Sequence, residues 1–299
     1  MKKKIGRFLR YNLTFTRSFG ILFLDYKSEG AAVENISREK IISGLSSLGE
    51  NIPKIFCYRE TDSTNTRAKE YARANPERRE CAVFVADSQT AGRGRLGRSF
   101  HSADGAGLYM SLLVYPTLRG AEATAVTAGC AVALARATER VSGLSPDIKW
   151  VNDLYINDRK LAGILVECEM ASDGEIAFLV LGMGINVYKI DYPSDISDIA
   201  VSIEGATGKK ISREELCSAT VLEVLGALEC IGSSEIYEEY KKRSLVIGRE
   251  ITVHGTGEPY EAVAEDITQD FALIATRDGV RERLFTGEVS IKLNNKKRG

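Results

Sequence analysis

One stretch of the chain combines glycine and arginine in a way that suits the binding of an anion. Gly92-Arg93-Gly94-Arg95-Leu96-Gly97-Arg98 holds three arginines, and no carboxylate lies between Ser88 and Ala103. Arginine presents a planar fork of donors to carboxylate and phosphate oxygens, and glycine lets backbone N–H groups approach a ligand closely. The stretch also fits the GxGxxG pattern, but loop and strand follow it where that motif requires a helix. We therefore predict an anion-binding loop, with a solvated surface loop as the alternative.

Three further motifs carry polar groups at the ends of predicted elements. Lys149-Trp150-Val151-Asn152-Asp153 precedes a hairpin that returns at Lys160, whose ammonium would neutralise charge that develops on a carboxylate. Thr61-Asp62-Ser63-Thr64-Asn65 opens a helix, and Gly182-Met183-Gly184-Ile185-Asn186 ends a strand, where glycine often marks close approach of a ligand. Each motif also has a plainer interpretation: a solvated turn lysine, a helix N-cap and a strand-ending turn.

The overall charge balance excludes two broad classes of protein. The 299 residues include 40 Lys+Arg and 41 Asp+Glu, which gives a formal net charge of −1, and 44% of the residues are hydrophobic. Wholesale disorder requires lower hydrophobicity and higher net charge, and a basic coat for nucleic acid requires a surplus of cations. Two stretches depart from this balance: the first 30 residues, with seven Lys/Arg against two Asp/Glu, and Arg93 to Arg98, with three arginines and no carboxylate.

Other features of the composition limit the compartment and the chemistry. The longest run without a charged side chain has 14 residues. A membrane-spanning helix needs at least about 17 apolar residues, so we predict none and expect no membrane partner. Six cysteines without a CxxC pair are typical of buried thiols in a reducing cytosol, so we predict a cytoplasmic protein. Two histidines are too few for a His-rich metal site, and no Gly-x-Ser-x-Gly nucleophile elbow occurs.

Hydrophobic periodicity and turn residues predict a chain with both helices and strands. Helices are predicted at 37–48, 63–74, 121–141, 213–230 and 235–243. Strands are predicted at 55–58, 81–86, 108–114, 148–151, 154–156, 161–169 and 176–181. From residue 248 onward, four short β runs predict a small all-β barrel: 250–254, 260–266, 272–276 and 281–285.

Taken in order, the motifs resemble those of the biotin–protein ligase family, also called biotin–[acetyl-CoA-carboxylase] ligases. The resemblance extends over about residues 37–292, and a chance match across five ordered motifs is very improbable. The matching stretches are 62–65, 89–98, 108–109, 149–155, 158–167, 182–186 and 287–290.

The resemblance implies a fold, a domain division and a reaction. The fold is α+β of the class II synthetase type, in which helices pack on a mixed or antiparallel sheet, followed by an SH3-like β barrel. It divides the chain into a basic extension (1–36), a catalytic domain (37–244) and the barrel (245–299). Biotin and ATP, accompanied by Mg²⁺, give biotinyl-5′-adenylate, and a lysine of a biotin carboxyl carrier domain then accepts the biotinyl group.

The resemblance also implies roles for individual residues. Lys160 and Arg95 match catalytic positions, and Asp153 is the candidate carboxylate for Mg²⁺, although no carboxylate cage is evident. The positions that match biotin-binding residues are Ser63, Thr64, Asn65, Gln89, Arg93, Gly94, Arg95, Tyr109, Lys160, Gly163, Gly182 and Gly184. The positions that match nucleotide-binding residues are Arg98, Phe100, Asn152 and Asn186.

The sequence departs from the family pattern at several positions. Val151 replaces a usual proline, Phe100 stands where tryptophan is frequent, and Phe271 stands where glycine is common. Larger members carry a winged helix-turn-helix of about 60 residues before the ligase domain, whereas about 36 residues precede it here. We therefore expect an incomplete winged helix and no DNA partner.

Alternative functions stay open at this point. The basic N-terminal segment favours a biotin-responsive DNA-binding regulator. A lipoate–protein ligase would share the fold, and a non-catalytic small-molecule binding module would share the pocket. The sequence also leaves open whether the protein is a homodimer.

Overall fold

Two β-sheets and the helices packed on them form the part of the chain that the computed structural model describes, residues 35–116, 123–171, 175–254, 257–285 and 287–291. Within these ranges no helix is both long and apolar enough to cross a membrane. The predicted basic extension lies outside the described residues up to residue 34.

The larger sheet has seven strands in the order β1-β2-β3-β7-β6-β5-β4. Strands β1 and β2 are parallel and the other neighbours are antiparallel, so the predicted mixed sheet is confirmed. The strands are β1 (Lys54–Thr61), β2 (Ala82–Gln89), β3 (Gly107–Val114), β4 (Asp147–Lys149), β5 (Asp153–Ile156), β6 (Arg159–Met170) and β7 (Ile176–Asn186).

Helices cover both faces of this sheet. The helices are α1 (Arg38–Gly44), α2 (Thr64–Ala74), α3 (Ala123–Ser142), α4 (Ile203–Thr207), α5 (Arg213–Glu229) and α6 (Ser234–Lys242). Successive strand side chains point to opposite faces. Val83 therefore packs into the large core with α3 and α5, while Phe84 packs with Ala68 and Ala72 of α2.

The predicted helices and strands of this part are confirmed, with differences at their ends. Helix α1 ends at Gly44, and a 3₁₀-helix follows over Ser46–Asn51. Strand β7 continues to Asn186, beyond its predicted end, because its second half stays paired with β3 and β6. The five-residue helix α4 has no counterpart in the prediction.

The C-terminal part is a five-stranded antiparallel sheet in the order β11-β10-β9-β8-β12. The predicted β runs are confirmed, and its closure into a barrel stays a prediction. Strand β12 was not among the predicted runs. The strands are β8 (Glu250–His254), β9 (Tyr260–Ile267), β10 (Leu273–Arg277), β11 (Val280–Leu284) and β12 (Glu288–Ile291).

Phe271 joins the C-terminal sheet to the rest of the molecule. It lies in the turn between β9 and β10 with a φ of 63°, in the left-handed region where glycine is common. Its backbone oxygen accepts a hydrogen bond of 2.9 Å from Nε1 of Trp150, and its buried ring lies 5.3 Å from that of Tyr240. The turn forms despite the aromatic side chain.

The cysteines are all free thiols, but the prediction that they are buried is only partly correct. Cys81, Cys130 and Cys217 are buried, whereas Cys168 and Cys230 are exposed. Burial raises the pKa of the half-buried Cys57 thiol to about 12, so this group is inert at neutral pH.

A buried ion pair fastens α5 to the large sheet. Nη2 of Arg213 lies 2.7 Å from Oδ1 of Asp87, and the two side chains are 3% and 2% exposed. The same carboxylate accepts the backbone N–H of Ile36, and the guanidinium also donates to the backbone oxygen of Gly107. The pair therefore links α5, β2, β3 and the segment before α1.

Replacing Arg213 with methionine should lower the free energy of unfolding by about 3–5 kcal/mol, because it leaves the Asp87 carboxylate buried without its cation. The matched control is Arg140→Met, which removes an exposed ion pair with Glu223 and should cost less than about 1 kcal/mol. Urea unfolding followed by circular dichroism measures both. Equal losses for the two variants would contradict the structural importance of the buried pair.

Candidate active site

An open cleft lies between the start of α2, the loop after β2, and the central strands β6 and β7, and it encloses about 480 Å³ including the space open to solvent. The predicted site residues that line it are Ser63, Thr64, Asn65, Gln89, Arg93, Gly94, Arg95, Phe100, Asn152, Lys160, Gly163, Gly182 and Gly184. The sequence motifs from four separate regions are thus brought together.

Lys160 and Arg95 meet the motif 149–153 in the cleft. Nζ of Lys160 lies 2.7 Å from Oδ2 of Asp153, and Nη1 of Arg95 donates to Oδ1 of Asn152 over 3.0 Å. The Asn152 amide in turn donates to Oδ1 of Asp153 and to the backbone oxygen of Ile164, at 3.1 and 2.9 Å. The motif therefore provides an oxygen acceptor for each of the two cations.

The described residues do not fit a resident magnesium site. They contain no cluster of three or more His, Cys, Asp or Glu that could hold a metal ion. Asp153 is engaged with Lys160, and Glu167, which faces the cleft residue Arg93, is engaged with Lys69.

Uncharged polar groups form another part of the cleft. Oε1 of Gln89 accepts the backbone N–H of Thr64 over 2.9 Å, while its Nε2 donates to Ser102 over 3.0 Å. Oδ1 of Asn65 accepts a hydrogen bond of 2.6 Å from Ser111. Ser63 is the N-cap of α2, but its side chain makes no capping hydrogen bond. Its hydroxyl therefore remains available to a ligand in the cleft.

Two glycines of β7 leave space for site side chains. A Cβ atom at Gly182 would lie 2.1 Å from Oδ1 of Asn65, and one at Gly184 would lie 2.5 Å from the ring of Phe100. Contacts this short are not tolerated, so a larger residue at either position would displace the side chain opposite. The two glycines are required by neighbouring side chains as well as by any ligand.

Two of the predicted residues lie next to the cleft without lining it. Arg98 forms an ion pair of 2.6 Å with Glu288 of β12, which connects the glycine/arginine loop to the C-terminal sheet. The Tyr109 ring is buried and its hydroxyl donates to the backbone oxygen of Ala103. Burial raises the pKa of Tyr109 above its ordinary value, and the ring meets Phe100 edge-on.

Asn186 also lies outside the lining. Its side-chain amide lies 3.4 Å from the backbone oxygen of Lys160 and donates to that of Val201 over 3.2 Å. It therefore ties the strand that carries Lys160 to the segment before α4.

The sequence interpretation missed several residues of the cleft. The apolar lining residues Met110, Ile164, Leu165 and Met183 were not assigned to it. Glu167 ends the matched stretch 158–167, yet nothing in its spacing indicated that it lies 3.4 Å from Nη2 of Arg93. Burial raises the pKa of Glu167, but hydrogen bonds from Lys69 and Asn65 outweigh burial and hold the pKa below its ordinary value.

The pairing of the strands orders the cleft along one direction. Leu165 pairs with Gly182 near the uncharged groups, and Gly163 pairs with Gly184 near the Lys160–Asp153 pair. Two residues of a strand span about 6.7 Å. The cleft thus suits an elongated ligand with a neutral hydrogen-bonding group at one end and an anionic group at the other.

Comparison with known proteins gives a consistent result. The family model described as "Biotin/lipoate A/B protein ligase family" matches residues 57–186. The biotin–[acetyl-CoA-carboxylase] ligase of Paracoccus denitrificans is 30% identical over 239 residues, which are 77% of this chain and 97% of the relative. The bifunctional ligase/repressor BirA of Bacillus subtilis is 40% identical over 153 residues, 50% of this chain and 46% of that protein. The chain thus matches about half the length of that relative.

Among solved structures, the chain is similar to the biotin protein ligase of Aquifex aeolicus in complex with biotin and ATP. The TM-score is 0.67 at 26% sequence identity, and the alignment covers 81% of this chain and all of the other. The fold, the ordered motifs and the extent of the match to the Paracoccus protein lead to one conclusion: this chain belongs to the biotin protein ligase family.

Proposed function

We propose that this chain activates biotin with ATP as biotinyl-5′-adenylate and then transfers the biotinyl group to a lysine of a biotin carboxyl carrier domain. The observation that carries the proposal is the order of groups in the cleft. Biotin has a neutral ring urea at one end and a carboxylate at the other. The urea matches the uncharged groups near Gly182, where the charge of Arg93 faces Glu167, and the carboxylate matches Lys160 and Arg95 near Gly163.

In the first step, a carboxylate oxygen of biotin forms a bond to the α-phosphorus of ATP, and the bond to pyrophosphate breaks. Both reactants are anions, so their approach is unfavourable unless cations offset the repulsion. Lys160 and Arg95 are suited to this, because each already faces an oxygen acceptor in the cleft. A single preorganised donor of this kind contributes about 3 kcal/mol to a transition state.

In the second step, the ε-amine of the carrier lysine forms an amide bond to the carbonyl carbon of biotin. The bond to the phosphate oxygen breaks, AMP leaves, and the amine gives up a proton. The carbonyl oxygen becomes negative in the tetrahedral intermediate. Lys160 is the candidate catalytic residue here too, because a ligand carboxylate held by it becomes this carbonyl group.

The assay that tests the proposal contains the chain, ATP, Mg²⁺, biotin and a carrier domain. We expect AMP release and a gain in carrier mass equal to one biotinyl group, both dependent on biotin. A mass gain with lipoate in place of biotin identifies a lipoate ligase. Ligand binding without any AMP release identifies a non-catalytic binding module. Either result contradicts the proposal.

Lys160→Ala should lower the rate of adenylate formation by about 100-fold or more, because it removes a cation from the site of charge development. The matched control is Arg159→Ala, which removes an exposed cation from the preceding residue of the same hairpin. Single-turnover formation of biotinyl-adenylate measures both rates. An undiminished rate for Lys160→Ala would exclude a catalytic role for Lys160.

Gly182→Ala should weaken biotin binding by about 10–100-fold, because the new methyl group overlaps the Asn65 amide. The Asn65 side chain is confined by hydrogen bonds to Ser111 and Glu167, so it cannot easily move away. The matched control is Gly226→Ala in α5, where a Cβ atom meets nothing within 4 Å. Calorimetric titration with biotin measures both, and equal affinities would contradict the steric argument.

A further inference from the structure

One row of side chains on α2 lies along one row on β6. Asn65, Lys69 and Arg73 are four residues apart on the helix, and Glu167 and Glu169 are two apart on the strand. Four helical residues advance about 6.0 Å and two strand residues advance about 6.7 Å, so the side chains of the two rows have nearly the same spacing. Nζ of Lys69 lies 2.7 Å from Glu167, and Nη2 of Arg73 lies 2.9 Å from Glu169.

The two glutamates differ in what else they hold. Glu169 is paired with Arg73 away from the cleft lining. Glu167 accepts Nδ2 of Asn65 over 2.7 Å through the oxygen that also faces Nη2 of Arg93 at 3.4 Å. Asn65 and Arg93 both line the cleft. Of this pair of carboxylates, only Glu167 is therefore connected to the cleft.

An ionised carboxylate only accepts hydrogen bonds, so Glu167 favours the orientation of the Asn65 amide in which Nδ2 faces it. The backbone oxygen of Leu165, 3.4 Å from the same Nδ2, supports this orientation over a longer distance. The NH₂ group faces Glu167, and the carbonyl oxygen is left to accept from Ser111 at 2.6 Å. The lowered pKa of Glu167, in which hydrogen bonds from Lys69 and Asn65 outweigh burial, keeps it ionised at neutral pH.

The orientation of the Asn65 amide also affects which of its uncharged neighbours in the cleft donate hydrogen bonds and which accept them. Ser111 Oγ lies 2.6 Å from Oδ1 of Asn65 and 2.7 Å from Oγ1 of Thr64. With its single hydrogen directed to Asn65, Ser111 can accept from the Thr64 hydroxyl, whose other acceptor is Oε1 of Gln89 at 3.2 Å. Gln89 is fixed independently, because its Oε1 accepts from Thr64 and its Nε2 donates to Ser102. A connected chain of hydrogen bonds thus begins at Glu167 and sets donors and acceptors along the cleft.

We propose that Glu167 is a positioning residue that sets the affinity of the cleft for the ring urea of biotin. It orients the Asn65 amide and holds Arg93 without being part of the cleft lining. A urea has one acceptor flanked by two donors, so it binds well only where the protein groups have a fixed complementary order. This inference rests on the proposed function.

The test compares Glu167→Gln with the matched control Glu169→Gln. Both variants remove one carboxylate charge from the same face of the same strand, and each leaves its cation partner in place. Only Glu167→Gln should raise the KM for biotin, by about 10–100-fold, which is the effect of losing a hydrogen bond to a charged group. The KM for ATP should change equally in the two variants.

A rescue experiment separates orientation of Asn65 from a merely structural role. Asn65→Asp alone opposes two carboxylates and should impair biotin binding strongly. In the double variant Asn65→Asp with Glu167→Gln, the new amide donates to the new carboxylate, which still accepts from Ser111. The double variant should therefore bind biotin at least about tenfold more tightly than Asn65→Asp alone.

The outcomes distinguish the two proposals. If the wild-type chain biotinylates the carrier but Glu167→Gln and Glu169→Gln have equal KM values for biotin, the role of Glu167 is excluded and the proposed function stands. If the double variant is no better than Asn65→Asp, orientation of the amide is likewise excluded. If the wild-type chain neither binds biotin nor releases AMP, both proposals fail.

Discussion

Each cation on the cleft lining is held by an oxygen atom from a different element of the fold. Arg93 faces Glu167 of β6, Arg95 faces Asn152, and Lys160 faces Asp153 at the start of β5. Like charges gathered in one cleft repel one another, so an oxygen acceptor beside each cation lowers the cost of bringing them together. Much of the local structure serves to bring these acceptors to the cations.

The three acceptors differ in charge, so the three cations are held with different strengths. Asp153 and Glu167 are carboxylates, whereas Asn152 offers Arg95 a neutral amide oxygen. Hydrogen bonds between two charged groups are stronger than those with one neutral partner. Arg95 is therefore the cation that can turn toward an incoming anion at least cost. Lys160 would keep its hydrogen bond to Asp153 while donating another to a ligand oxygen, because an ammonium has three donors.

Several parts of this arrangement were predictable from the sequence, because they depend on residues that are close together in the chain. The helix predicted over 37–48 forms as α1 with Ser37 as its N-cap, and the glycine/arginine stretch forms a loop with one 3₁₀ turn at Arg95–Gly97 and no α-helix. The side-chain partners were not predictable, because they depend on which strands are neighbours. Glu167 meets α2, which begins about a hundred residues earlier, and Arg98 meets Glu288. Tyr109 and Asn186 were assigned to the cleft from their motifs, yet their polar atoms bind backbone oxygens beside it.

The motif 149–153 also explains how the C-terminal sheet is coupled to the cleft. Trp150 donates to the backbone oxygen of Phe271, and Asn152, two residues later, accepts from Arg95. The left-handed backbone of Phe271 costs on the order of 1 kcal/mol, which burial of its ring against Tyr240 offsets. Glycine would relieve that backbone cost and lose the ring. Phe271 thus has a less favourable backbone conformation than glycine would have, but its ring packs against Tyr240. Its backbone oxygen holds Trp150 against the C-terminal sheet, and Trp150 lies two residues from Asn152, which accepts from Arg95 in the cleft.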